Sequence, residues 1–165
     1  MDSAAVQVIT EGGSVGVNGL LLAREYDYDN GTDCLTILLP SGRKLYYINP
    51  SIGQNEWGRP SISYMGMDQK TKRWKRIETY GGKLVENCVQ AIARDCLAAS
   101  IDRLEAAKLP VVFHVHDEVV IDVAPFADED TMLSTVCSIM GEPVPWAPDL
   151  PLKAAGWVGY YFTKD

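Results

Sequence analysis

The segment 111–123, VVFHVHDEVVIDV, decides how the rest of the chain is read. Two short runs of β-branched and apolar residues flank His116, Asp117 and Glu118. Such a pattern predicts a tight β-hairpin whose tip carries charge. Aspartate suits a turn because its carboxylate accepts nearby backbone N–H groups. Two adjacent carboxylates at the tip of an apolar hairpin repel one another, and a divalent cation relieves that repulsion. The plain alternative is a pair of solvated turn acids.

Working outward, Lys108-Leu109-Pro110 ends the element that precedes the hairpin. Residues 83–107 contain neither Gly nor Pro, and Val85, Val89, Ile92, Cys96, Ile101 and Leu104 recur at helical spacing. This predicts one long amphipathic helix, opened by the Gly81-Gly82 break. Glu86, Gln90 and Arg94 then line one polar edge of it. Beyond the hairpin, the acids of 125–130 suit a helix N-terminus. A second helix is predicted over 131–140, with Met132, Val136 and Ile139 inward and Gly141 as its stop. Segment 142–151 holds four prolines and reads as ordered loop. Segment 152–162 returns to β character and predicts a last strand.

The N-terminal half is β-rich. The first ~20 residues are Gly-rich and weakly patterned, which predicts a ragged start or a short edge strand. CLTILL and KLYYI, within 34–48, are joined by the turn residues Pro40-Ser41-Gly42-Arg43 and predict a hairpin. Segment 51–59 reads as loop. A second hairpin joins 61–67 to 73–79 around Asp68-Gln69-Lys70-Thr71. Trp57 and Trp74 read as packing anchors, with base stacking as the alternative for Trp74. The expected architecture is a single α+β domain, an antiparallel sheet packed on one face by two helices.

At 165 residues the chain suits one domain, and no window resembles a membrane span. The start lacks the basic and apolar regions of a secretory signal. Cys34, Cys88, Cys96 and Cys137 are scattered without a CxxC pair, as expected of reduced thiols in a cytosolic protein. The net charge of −7 argues against a generic nucleic-acid binder. Residues 70–83 depart from it: Lys70, Lys72, Arg73, Lys75, Arg76 and Lys83 against Glu78 give +5, leaving −12 elsewhere. That island is a candidate phosphate-contacting strip or a solvated loop.

His114, His116, Asp117 and Glu118 spell HxHDE, which invites a histidine-based metal hydrolase. That reading needs a further ligand, and the chain has only these two histidines, so Glu56, Glu78 or Asp122 would have to substitute. Asp117 and Glu118 alone suit Mg²⁺, which takes one or two carboxylates plus substrate phosphates.

The run 79–120, TYGGKLVENCVQAIARDCLAASIDRLEAAKLPVVFHVHDEVV, closely resembles the C-terminal palm of family A DNA polymerases. The branch it is most similar to is the phage or prophage one of the bacterial DNA polymerase I type. HDE resembles the family's third polymerase motif, and the helix with Val89-Gln90-Ala91 resembles the motif before it. PSGRKLYYINP and PVPWAPDLPLKAAGW extend the likeness over about 35–165. The resemblance implies that Asp117 is one of two aspartates holding catalytic Mg²⁺ ions and that Glu118 is a secondary carboxylate. It also implies that His116 approaches the primer terminus and that Gln90 faces the minor groove. Lys72, Arg73, Lys75, Arg76 and Lys83 are the expected DNA contacts.

The implied partners are primer–template DNA, dNTP and the remaining N-terminal portion of a polymerase in the bacterial cytosol. The family often has Asn four residues before that Gln; here Glu86 stands there, with Asn87 beside it. The DYSxIE-like motif with the other aspartate is absent, since Tyr26-Asp27-Tyr28-Asp29 does not match it, and so is the fingers helix. The chain is therefore expected to be an excised piece or a split gene product, incapable of polymerisation alone. A non-catalytic module that binds DNA or a polymerase is the rival reading, beside the small hydrolase.

Overall fold

The computed structural model describes residues 1–54, 58, 60–124 and 127–163. It forms two compact units, Met1–Gln90 and Ala91–Asp165. In the first, β1 (Ser14–Val17), β2 (Leu20–Asp27), β3 (Thr32–Leu38), β4 (Lys44–Gln54), β5 (Pro60–Met67) and β6 (Trp74–Thr79) make an antiparallel sheet in chain order. Both hairpins predicted in this half are present. A third, between β1 and β2, turns through Asn18 and Gly19, whose φ angles of 47° and 80° are those of a type I′ turn.

Helix α1 (Asp2–Glu11) stands where a ragged start was one expectation, while the alternative of a short edge strand is met by β1; the helix lies against β1 to β4. Its buried face is Ala4, Ala5, Val8 and Ile9, and the facing strands contribute the fully buried Leu22, Leu35 and Ile37. Each large aliphatic side chain buried there contributes roughly 1.5–3 kcal/mol. Arg24 fastens α1 to the sheet. Its guanidinium donates to the Ile9 carbonyl near the helix end and to Asp33 at 3.0 and 2.7 Å.

Strand β4 runs on through Pro50 to Gln54, into the segment predicted as loop. Proline is tolerated in this central strand because the pairing shifts there. Ile48 faces Met65 and Ser51 faces Ser63, so two residues of β4 oppose one of β5. Asn49 takes up the bend at φ 47°. Glu56 and Trp57 lie outside the described residues.

Helix α2 (Gly81–Ala106) is as long as predicted, but its apolar stripe is rotated. Leu84, Cys88, Ala91, Cys96, Leu97 and Leu104 are buried, whereas Val85 and Val89 are 45% and 60% exposed. Asp2 caps the helix by accepting from the Gly81 N–H. A Cβ at Gly81 would lie 2.7 Å from the Asp2 carboxyl carbon, so no larger residue fits without displacement. Asn87 donates to the Tyr47 hydroxyl at 3.0 Å, and Tyr47 meets Tyr64 edge-on at 5.0 Å. Burial pushes the Tyr47 hydroxyl up to about 12.

In the second unit α2 ends in a Schellman motif. Leu109 N–H donates to Leu104 O at 2.9 Å and Lys108 N–H to Glu105 O at 3.0 Å, with Lys108 at φ 64°. The last turn also anchors two later segments. Glu105 accepts from Val111 N–H at 2.7 Å, and Arg103 donates to the carbonyls of Glu142 and Pro143. The predicted hairpin is β7 (Val111–Val115) and β8 (Glu118–Ile121), a two-stranded sheet of its own. Helix α3 (Glu129–Met140) comes next and stops at Gly141. Pro125 and Phe126, in the connector before it, lie outside the described residues.

The class is α+β, with three helices among the described residues instead of two. No strand forms over the described part of 152–162, where Gly156 and Gly159 interrupt the β-prone residues. All four cysteines are free, and burial raises the thiols of Cys34, Cys88 and Cys96. Among the described residues no helix is long and apolar enough to cross a membrane.

Two substitutions test the helix ends. Lys108→Gly relieves a left-handed backbone and should stabilise the chain by about 0.5–1 kcal/mol. Gly81→Ala should destabilise it by about 1–3 kcal/mol through overpacking. Urea-unfolding midpoints read both signs.

Candidate nucleic-acid interface and carboxylate hairpin

The β7–β8 turn has two residues, His116 and Asp117, closed by the pair Val115 and Glu118. His116 sits at φ 54° while Asp117 does not enter the left-handed region, the sign pattern of a type II′ turn. Glycine is favoured at that first position. Histidine enters left-handed backbone more readily than most residues, at a cost of roughly 1–2 kcal/mol.

His114, His116, Asp117 and Glu118 are all exposed, and His114 lies opposite Val119 on the strand. The chemistry of the two adjacent carboxylates fits a hard divalent cation in kind but not in number. No group of three or more His, Cys, Asp or Glu among the described residues is placed to hold a metal ion. Among the described residues the tip brings two carboxylates together without a third such ligand.

In the first unit, Glu86 and Gln90 lie on the exposed edge of α2. Glu86 accepts from Lys83 at 2.8 Å and from Gln90 at 3.2 Å. Asn87 instead faces the sheet through Tyr47, so its amide is structural. Arg94, in the second unit, is exposed and lies 4.0 Å from Asp95.

The basic strip divides into engaged and open cations. Arg76 donates to Asn49 O, Ser51 Oγ and Ser63 Oγ at 2.8–3.2 Å, which locks it onto the sheet beside the β4 bulge. Lys75 pairs with Asp68 at 2.8 Å and Lys83 with Glu86. Lys72 reaches only the neutral Gln69 amide at 3.3 Å. Lys70 and Arg73 are exposed and have no side-chain partner among the described residues. Trp74 is 54% exposed beside Met67 at 48%, so it is no packing anchor.

Asp68 organises this loop. One carboxylate oxygen accepts from Lys70 N–H, Thr71 N–H and Thr71 Oγ1 at 2.7–3.0 Å, and the other takes Lys75. The sequence carries the signal for it: an Asp opening a Lys-Thr turn is an Asx-turn former.

Along its whole length the chain is 44% identical, over 167 aligned residues, to part of a DNA polymerase of Bacillus phage SP02. It spans only 24% of that relative's length. No family model matches the sequence, and no solved structure does.

The Lys75 ammonium, with the Thr71 donors, holds the Asp68 carboxyl well below the usual carboxylate range. A depressed folded value means that the loop's stabilisation is complete above the unfolded value near 3.8 and fades only as pH falls through the lower one. The Lys70 and Thr71 amide resonances should therefore hold from neutral pH through about pH 4. Asp68→Asn should abolish the transition; a midpoint near 4 in the unsubstituted chain would contradict the geometry.

Proposed function

We propose that this chain is the C-terminal palm segment of a family A DNA polymerase, whose activity is templated addition of nucleotides to a primer 3′ end. The observation that carries this reading is the 44% identity to a phage DNA polymerase along the whole chain. The exposed carboxylate tip supports it, since a site that receives a primer end and a nucleotide must be reachable.

In this reading Asp117 and Glu118 hold Mg²⁺, with Asp117 the principal ligand and the missing donors supplied by the rest of the polymerase. Bound Mg²⁺ would neutralise charge developing on the transferring phosphoryl group. The two-residue turn contributes by fixing where the Asp117 carboxylate stands, because a loop this short has little freedom to move it. His116 presents an imidazole at the same tip for the primer terminus. Gln90 must release its bond to Glu86 to offer its amide to the minor groove, where acceptors on every base pair are available. The exposed Val85 and Val89, next to Glu86 and Gln90, give that helix edge apolar flanks for sugar contacts.

In the full-length polymerase carrying this segment, Asp117→Ala should lower primer extension by about a hundred-fold or more. Glu118→Ala should cost less. Near-normal extension by the Asp117 variant would overturn the ligand assignment. The 165-residue chain alone should give no templated extension with Mg²⁺ and dNTPs, and clear synthesis by it would overturn the accounting of parts.

A further inference from the structure

We infer that the β5–β6 hairpin is a binding element for single-stranded DNA, with Trp74 as a stacking platform and Lys70, Lys72 and Arg73 as phosphate contacts. The choice of DNA rests on the proposed polymerase function; the chemistry of the hairpin does not. Residues 68–76 carry five cations and one acid, a net +4 within a chain of net −7. This charge is concentrated on one turn, and residues 69–76 are all exposed.

The bonding pattern separates structural from available charge. Arg76 is held by three oxygens of the sheet, and Lys75 by Asp68. Lys70, Lys72 and Arg73 face no acid among the described residues, so a polyanion gains their full attraction without breaking an ion pair. The Asp68 turn preorganises them: its four bonds fix the loop, and Lys72 is held at φ 53°. Less backbone ordering entropy then remains to be lost on binding.

Trp74 distinguishes among polyanions. It leads strand β6 directly after Arg73, pairs with Met67 across the hairpin, and leaves half of its indole exposed. An acidic peptide offers that surface no regular series of flat π-faces. Duplex DNA already stacks its bases on each other and offers the indole no base face. An unpaired strand offers both a backbone for the lysines and a free π-face for Trp74.

The test is a titration of the 165-residue chain with fluorescein-labelled oligothymidylate of about 15 nucleotides, at low salt and without Mg²⁺. Binding should weaken linearly with log salt. Trp74→Ala should reduce affinity about ten-fold. The Lys70→Ala, Arg73→Ala double variant should flatten the salt slope by about 1.4. Both variants alter exposed side chains, and circular dichroism checks their folding; the double variant keeps the test alive if Trp74→Ala unfolds.

Equal affinity for blunt duplex, an unaltered Trp74→Ala titration, or no binding at low salt would overturn the proposal. Preference for oligouridylate would overturn the assignment to DNA. Mg²⁺ is absent from this titration, so it reads the hairpin and not the carboxylate tip. Thus, loss of the hairpin effects alone refutes the hairpin, and indifference of primer extension to Asp117 alone refutes the polymerase reading.

Discussion

The end of α2 is the constraint on which the second unit turns. Leu109 and Lys108 close the last carbonyls of the helix in a Schellman motif, and Pro110 prevents any continuation. Within that turn, Arg103 seizes the proline-rich loop and Glu105 seizes the first amide of β7. Arg103 and Glu105 thus set where the loop after α3 lies and where the hairpin begins. Because the helix backbone is rigid, the hairpin's starting point is fixed to within the play of one hydrogen bond. The carboxylate tip inherits that placement through five residues of β7. A less definite helix end would leave Asp117 on a wandering arm.

The first unit reaches the same end by different means. Its sheet is a simple meander, so every strand pairs with its sequence neighbours and no long connection has to be closed. Local pairing of this kind lowers the entropy cost of loop closure. Two long-range ties complete it: Arg24 joins α1 to β2 and β3, and Asp2 meets the start of α2. The polar cluster of Arg76, Ser51 and Ser63 works on the opposite face from Tyr47 and Tyr64, where the pairing shift has turned Ser51 toward Ser63.

Sequence patterning suffices where a turn or break has an unambiguous residue, as at Pro40–Arg43, Asp68–Thr71 and Pro110, whereas Gly81-Gly82, expected as a break before the helix, forms its first turn. It fails on phase. In α2 the apolar residues come as adjacent pairs, Leu84/Val85, Cys88/Val89 and Ala91/Ile92. Either member of each pair gives a helical stripe, and only packing chooses the first. Helix α1 escapes the pattern because Val6, Val8, Ile9 and Thr10 are β-branched and offset the helical preference of Ala4 and Ala5, and because a ten-residue helix is marginal alone, so its formation depends on the sheet beneath it. The β1–β2 turn is readable from Asn18-Gly19 between apolar runs. Pro50 looks like the end of a strand because a bulge is invisible until the partner strand is known. As for the candidate site, His116 to Glu118 stands out as a charged tip, but the distinction between locked and open cations in 70–83 requires the oxygens of other strands.

Among the described residues β1 and β6 pair with a strand on one side only, and an edge of that kind can recruit a strand from another molecule. Strand β1 is guarded by brevity, with four residues, one of them glycine. Strand β6 is longer, and its guard is electrostatic: Lys75 and Arg76 lie within it, and Lys70 to Arg73 crowd the approach. Two copies brought edge to edge along β6 would juxtapose like charges at close range. The residues assigned above to a polyanion therefore also oppose edge-to-edge growth of the sheet. Screening them with salt or neutralising them by mutation would expose the protein to self-association.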